Sequence, residues 1–186
     1  MVVKTSKNGK HTSVPAFDAP RKIDIACGQN KQPGFYGIDI AGDADLIYDL
    51  SRYPWTFAED NSIDELFCSH YIEHVDDLIA FMDECWRILR VGGTMTVIAP
   101  YYSSVRCWQD PTHKHAISEM SFLYYNKGWR DANKLDHYPI KSDFDFVYGY
   151  VLSDEWANRS QEAQQFAVKH YINVVNDIHV TLTKRA

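Results

Sequence analysis

Lys22 to Ile40, KIDIACGQNKQPGFYGIDI, decides the fold. It opens with an alternating apolar run, Ile23-Asp24-Ile25-Ala26, breaks at Cys27-Gly28, crosses a polar passage to Pro33-Gly34, and becomes strand-like again from Phe35 to Ile40. That order is strand, small-residue turn, strand, with Asp39 near the end of the second strand. In doubly wound α/β sheets a ligand lies across the carboxyl ends of the strands. A small residue there lets the backbone approach it, and an acidic residue on the next strand takes a pair of ribose hydroxyls. One Gly after a short apolar run is also what any turn looks like, so the reading depends on the strands and helices downstream of Ile40.

Further along, Ala44 to Leu50 is a short strand ending near Asp49, Ser51 to Ser62 is a connection, and Ile63 to Ser69 is another strand. The clearest helix is Asp76 to Val91. Leu78, Phe81, Met82, Cys85, Ile88 and Leu89 fall on one face, Asp76 and Asp77 sit at its start, Arg87 and Arg90 at its end, and Gly92-Gly93 stops it. Thr94 to Ala99 is a strand closed by Pro100, so strand, helix and strand make a right-handed βαβ unit. Tyr101 to Lys114, YYSSVRCWQDPTHK, then starts where loops of this architecture carry chemistry. Ile117 to Tyr125 reads as a helix capped by Ser118 with Met120, Leu123 and Tyr124 inward, and Asn126 to Ile140 as irregular surface. Asp143 to Leu152 alternates as a strand, Gln161 to Tyr171 is helical, and Asn176 to Lys184 is a final strand.

The 186 residues suffice for one domain with a core of its own, expected over residues 21–186 behind a flexible N-terminal arm at 1–20. A formal charge of −6 and the lack of a basic patch weigh against nucleic acid as the main partner. Cys27, Cys68, Cys85 and Cys107 are scattered, with no C-x-x-C pair, which suits a reducing cytoplasm. No stretch has the length of a membrane span.

These motifs together resemble the Rossmann-like, S-adenosylmethionine-dependent methyltransferases, class I, and in particular the small type 11 members. The resemblance covers about Lys22 to Lys184 and rests on DIACGQNKQPGFYGIDI, DLIYDL, NSIDELFCSHYIEHV and FMDECWRILRVGGTMTVIAP. It implies a seven-stranded, mostly parallel sheet with an antiparallel last strand, and S-adenosylmethionine as cofactor. Asp24 and the backbone of Ala26, Cys27 and Gly28 would hold the methionine moiety. Asp39 would accept both ribose hydroxyls, Asp49 the adenine amino group, and the Leu50 backbone would meet the ring. Ser69 and His70 would border the methionine and the sulfonium.

Two departures stand out. Ala26 occupies a position where the family has Gly. About nine residues separate the first two strands, too few for the usual crossover helix, and the next connection is no longer. The sheet is therefore expected to lack helices between its first strands. An uncovered apolar face would need the N-terminal arm, the Gln161 to Tyr171 helix or a second subunit, so a homo-oligomer is expected.

Methyl transfer requires alignment of acceptor, methyl and sulfur and, for an oxygen or nitrogen acceptor, loss of a proton. In the Tyr101 to His115 segment, His113 is the candidate general base and Asp110 its orienting partner, with Tyr101, Tyr102 and Trp108 as walls of a pocket for a small-molecule or glycan-type acceptor. The alternatives are a local Asp110-Pro111-Thr112 turn and aromatics that pack under the loop. His113 and His115 with His70 and His74 raise a metal site. Residues two apart share a direction only on a strand, which Pro111 opposes, so no metal is expected. A cofactor-binding or interaction module without transfer activity is the alternative function.

Overall fold

The computed structural model describes residues 3–5, 11–13 and 21–186. Strands β1 (Val3–Thr5) and β2 (His11–Ser13) pair antiparallel, and the rest of the arm expected at 1–20 lies outside the described residues. The domain is a seven-stranded sheet of β3 (Lys22–Ile25), β4 (Tyr36–Asp39), β5 (Leu46–Ile47), β6 (Ile63–Ser69), β7 (Leu89–Pro100), β8 (Phe144–Leu152) and β9 (Val175–Lys184). Their spatial order is β5-β4-β3-β6-β7-β9-β8, with β9 antiparallel to both neighbours and the remaining pairings parallel. This is the architecture expected from the sequence.

Among the described residues no helix separates β3 from β4, β4 from β5, or β5 from β6. The first long helix, α1 (Leu78–Ile88), lies between β6 and β7 and buries Phe81, Met82, Cys85 and Ile88. Opposite them the sheet presents one apolar face. Ile23 pairs with Leu66, Ile25 with Cys68, Leu66 with Met95, Cys68 with Val97, and these with Leu182 and Val180, all buried. Right-handed crossovers place α1 on this face and would place the helices missing from β3–β4 and β4–β5 on the other.

That other face is mixed in character. By strand alternation it carries Glu65, Phe67 and Ser69, then Thr94, Thr96 and Ile98, then Thr181 and Thr183, all half-buried, with His179 exposed. Lys22 pairs with Glu65 at 2.7 Å across it, and Phe67 rests on Phe35 with ring centroids 6.0 Å apart. Threonine-rich alternation makes this face more polar than the one under α1, with Phe67 and Ile98 as its apolar residues on these strands.

The helix-less connection from β5 to β6 is held down by an aromatic anchor. Trp55 is buried, stacks on Phe57 at 5.5 Å, and donates its indole N–H to the Leu50 carbonyl at 3.0 Å. Its backbone N–H meets Glu84 Oε1 at 2.5 Å, and Arg87 forks onto the same carboxylate at 2.6 and 2.9 Å.

Helix α1 is shorter than the expected Asp76 to Val91. Asp77 caps it by accepting from the Ala80 N–H at 2.9 Å, and the chain turns extended at Leu89. Arg90 and Gly92-Gly93 therefore belong to β7. Gly93 serves close approach: a Cβ there would stand 2.9 Å from the Arg90 carbonyl oxygen and 3.0 Å from that of Asp64.

Between β7 and β8, the expected helix at Ile117 to Tyr125 is a 3₁₀ segment, Glu119–Tyr125, preceded by Ser118, whose N–H bonds Ser121 Oγ at 3.1 Å. Its inward residues are Phe122 and Tyr125; Met120 and Tyr124 face out, because three residues per turn shift the face that meets the sheet. Three short helices escaped the sequence pattern: α2 (Val105–Gln109), α3 (Lys127–Ala132) and α4 (Asp154–Ala157). The helix expected at Gln161 to Tyr171 is present as α5 (Gln161–His170).

Lys184, at the end of β9, is buried and donates to Asn61 Oδ1 at 2.8 Å, the Trp86 carbonyl at 2.6 Å and the Leu89 carbonyl at 2.8 Å. It thereby closes the carboxyl end of α1, and desolvation lowers its pKa. Lys184→Met strands these acceptors in the interior and is expected to cost about 3 kcal/mol in urea unfolding. A loss below about 1 kcal/mol would mean that water replaces the ammonium.

Candidate active site

The strand order reverses between β3 and β6. The chain runs outward from β3 through β4 to β5, then returns to the other side of β3, so the carboxyl ends of β3 and β6 border a crevice. Both strands leave the sheet through a strained residue. Ala26, directly after β3, has φ 55°, and His70, directly after β6, has φ 54°. Left-handed backbone at a side chain with a Cβ costs on the order of 1 kcal/mol and gathers at functional sites.

Around this crevice the proposed cofactor residues come together. Asp39 closes β4, and its carboxylate accepts from the Gly28 N–H at 2.8 Å and the Ile40 N–H at 2.6 Å. Asp24 is only 2% exposed, accepts from the Gln32 N–H at 2.7 Å, and has its pKa raised chiefly by burial, with the nearby Asp39 charge adding to the effect. Cys27 is buried with its N–H on the Ile38 carbonyl at 3.2 Å, so the Ala26-Cys27-Gly28 turn is pinned to β4. Asp49 follows β5 and is engaged by Ser51 (N–H at 3.1 Å, hydroxyl at 2.6 Å) and by Arg52 at 2.9 Å, which lower its pKa. Leu50 is buried in the core, leaving its backbone for any ring contact. Ser69 ends β6, and the His70 N–H bonds the Ile98 carbonyl at 2.8 Å.

The acceptor-side residues divide. Tyr101 is buried; its hydroxyl donates to Glu119 Oε2 at 2.9 Å and its ring lies 5.2 Å from that of Tyr150, so it belongs to the core and not to a pocket wall. Tyr102 and Trp108 are exposed, the latter at 70%, with the indole N–H on the Tyr102 carbonyl at 2.9 Å. Asp110 forms the local turn: its Oδ1 accepts from the Thr112 N–H at 2.8 Å and hydroxyl at 2.7 Å, and these bonds hold its pKa down. His113 is nearly buried. Its Nδ1 bonds the Cys107 carbonyl at 2.9 Å and its Nε2 lies 3.9 Å from Asp110 Oδ2. Trp108, Asp110, Pro111 and His113 share the lining of a cleft of about 350 Å³.

One residue went unnoticed in the sequence. Glu73, in the 3₁₀ turn Ile72–His74 after β6, is 1% exposed, and its Oε1 lies 3.4 Å from His70 Nδ1 and 4.0 Å from His113 Nε2. The tie is made through the backbone as well, since the Glu73 carbonyl accepts from the N–H groups of Lys114 at 2.7 Å and His115 at 3.2 Å. His115 turns away, with Nε2 on the Val75 carbonyl at 2.8 Å. The E-H pair before a helix was the only signal in sequence, and spacing could not link it to the distant His113.

Residues 35–97, from the start of β4 into β7, match the family profile of the methyltransferase domain. That match spans about a third of the chain, and the fold around it is Rossmann-like. Solved structures share the fold of this domain. An S-adenosylmethionine-dependent methyltransferase from Archaeoglobus fulgidus aligns with TM-score 0.61 at 18% identity, over 92% of this chain and 89% of that one. One from Mesorhizobium loti gives 0.54 at 13% identity, over 88% and 90%. One from Thermotoga maritima gives 0.54 at 16% identity, over 89% and 82%. No curated protein matches the sequence significantly. The expected class of enzyme and its cofactor, S-adenosylmethionine, agree with the description of the matched family and of these structures. Among the described residues, no helix is long and apolar enough to cross a membrane.

Ala26 tests the cost of the departure at the methyltransferase turn. Ala26→Gly removes a Cβ from left-handed backbone and is expected to stabilise the fold by about 1 kcal/mol in chemical denaturation. A destabilised variant would show that the methyl group packs more favourably than the backbone strain it causes.

Proposed function

We propose that this chain binds S-adenosylmethionine across the ends of β3, β4 and β6 and transfers its methyl group to an oxygen or nitrogen of a small-molecule or glycan-type acceptor. The observation that carries the reading is the charge of the crevice. Asp24 and Asp39 face a common turn and raise each other's energy when ionised, which a cationic ligand relieves. A pyrophosphate-bearing cofactor would instead seek a helix N-terminus after the first strand, and among the described residues β3 is followed by no helix. The crevice therefore suits a sulfonium and an ammonium better than a phosphate.

Each oxygen of Asp39 accepts one backbone N–H, and a carboxylate has lone pairs for about four bonds, so both oxygens can still take a ribose hydroxyl. When bound, S-adenosylmethionine supplies the methyl group and a neutral thioether leaving group. The chain supplies alignment, exclusion of water and a destination for the acceptor's proton. Exposed Tyr102 and Trp108 are suited to guide the acceptor toward the cleft. His113 is the group that acts on its proton. A carbonyl only accepts, so Nδ1 bears the hydrogen shared with Cys107, and Nε2 is the basic nitrogen. The Cys107 carbonyl orients the ring from behind, and the carboxylates of Glu73 and Asp110 face Nε2 at 4.0 and 3.9 Å, where they favour its taking a proton. We place the activity in the cytoplasm, where the four unpaired cysteines stay reduced.

Calorimetric titration with S-adenosylmethionine tests the reading. Asp39→Ala is expected to weaken binding by at least about 30-fold, the loss of charged hydrogen bonds to two hydroxyls. Unchanged affinity would remove Asp39 from the site, and wild-type protein that binds nothing would remove the cofactor. Binding without turnover of any acceptor would leave the non-catalytic module, which the strain at Ala26 and the missing helices favour.

A further inference from the structure

Glu73 poses an electrostatic problem. Its carboxylate is buried and its polar contacts are long: His70 Nδ1 lies 3.4 Å and His113 Nε2 4.0 Å from Oε1. An ionised carboxylate in that condition costs several kcal/mol unless a cation or a proton meets it. Facing it are ring nitrogens. One ligand atom each from Glu73, His74 and His113 lies within 4.8 Å of the others, and the two imidazoles meet edge to face with centroids 4.7 Å apart.

The hydrogen bonds behind the rings fix which nitrogens are available. His113 Nδ1 must donate to the Cys107 carbonyl, so its Nε2 carries the lone pair and points at another acceptor, Glu73 Oε1, 4.0 Å away. For His74 the chain is longer. Asp110 Oδ1 takes the single hydroxyl hydrogen of Thr112 at 2.7 Å, so Thr112 Oγ1 can only accept at its 3.0 Å contact with His74 Nδ1. His74 Nε2 is then also a bare acceptor. Each histidine of the cluster thus has one ring nitrogen donating to an outer oxygen and the other left as an acceptor, which is the arrangement that orients metal-ligating histidines.

We propose that Glu73, His74 and His113 bind a divalent transition-metal ion of the zinc, cobalt or manganese class. Two imidazoles and one carboxylate suit such borderline ions and disfavour magnesium and calcium, which prefer all-oxygen shells. Ligands at about 2.0–2.2 Å from one ion stand roughly 3–4 Å apart, so the widest separation must contract by about 1–2 Å to close on it. His70, with Nδ1 3.4 Å from Glu73 Oε1, is within reach as a fourth ligand. With three protein ligands the ion keeps positions for an acceptor oxygen or nitrogen and lowers its proton affinity directly, in which case His113 acts through the ion and not as a free base. That catalytic consequence rests on the methyl-transfer reading; the binding site does not.

The test uses the full chain after dialysis against a chelator, with no S-adenosylmethionine present. Titration with Co²⁺ is expected to produce visible ligand-field absorption saturating at about one ion per chain, and Zn²⁺ to compete for it and raise the melting temperature. Glu73→Gln and His74→Ala are each expected to weaken uptake by roughly 100-fold. If Glu73→Gln does not fold, the half-buried His74 gives the same test through His74→Ala. Wild-type protein that takes up no Co²⁺ or Zn²⁺ overturns the proposal, as do variants that bind as wild type does. Metal uptake without S-adenosylmethionine binding would sink the transfer reading alone; the reverse result would sink only the metal site.

Discussion

The shortness of the connections β3–β4 and β4–β5 is the constraint on which the rest of the molecule depends. A parallel crossover needs room for a helix, and a helix is what normally covers one face of a parallel sheet. Here no helix lies in either connection, so only the face under α1 can be fully apolar. The alternation along β6, β7 and β9 reflects this: Leu66, Met95, Val97, Val180 and Leu182 point one way into the core, while a mainly polar set of glutamate, threonines, serine and histidine, with Phe67 and Ile98 among them, points the other way. A parallel sheet with one mainly polar face is unusual, and here it is written residue by residue into the strands.

The same economy concentrates function at the strand ends. With no helix after β3, the turn at Ala26 to Gly28 is tied down by side chains and neighbouring backbone, through Asp39 to Gly28 and Cys27 to Ile38. With no helix after β5, Trp55 and the Glu84–Arg87 pair anchor the connection to α1. The crevice is consequently walled by carboxylates and strained backbone, without a positive helix end to counter them, and its field favours cations. The left-handed residues Ala26 and His70 face each other across the reversal of strand order, so the strain sits where the chain must bend away to open the crevice.

Much of this was legible in the sequence because it is local. The strand pattern from Lys22 to Ile40, the amphipathic face of α1 and the alternation of β8 and β9 each lie within one segment, and the missing helices could be counted from chain length alone. Boundaries failed where one residue type serves two purposes. Gly92-Gly93 reads as a helix stop, yet Gly93 is required by two carbonyls that leave no space for a Cβ. The 3₁₀ segment at Glu119–Tyr125 failed for a related reason, since its apolar residues fit either period and only the sheet beneath decides which face is buried. The acceptor side was least legible. Tyr101 resembled a pocket wall in sequence, but its hydroxyl finds Glu119 inside the core. The histidine pair that meets is His74 with His113, joined across the fold, while the sequence neighbour His115 points to Val75.

Glu73 shows why tertiary placement matters beyond such pairings. Its backbone carbonyl accepts the N–H groups of Lys114 and His115, which fixes the loop carrying His113 whether or not anything occupies the space between the side chains. Cys107 and Thr112 then set the two rings from behind. The positions of the nitrogens are therefore established during folding, and the entropy of assembling them is not charged again when a ligand arrives. A residue needed only to staple this loop would serve through its carbonyl alone, with an apolar side chain in the same buried site. The carboxylate contributes nothing to the staple and is costly to bury, so its presence is explained by what it faces: the imidazoles of His70 and His113, 3.4 and 4.0 Å from Oε1, with His74 beside them.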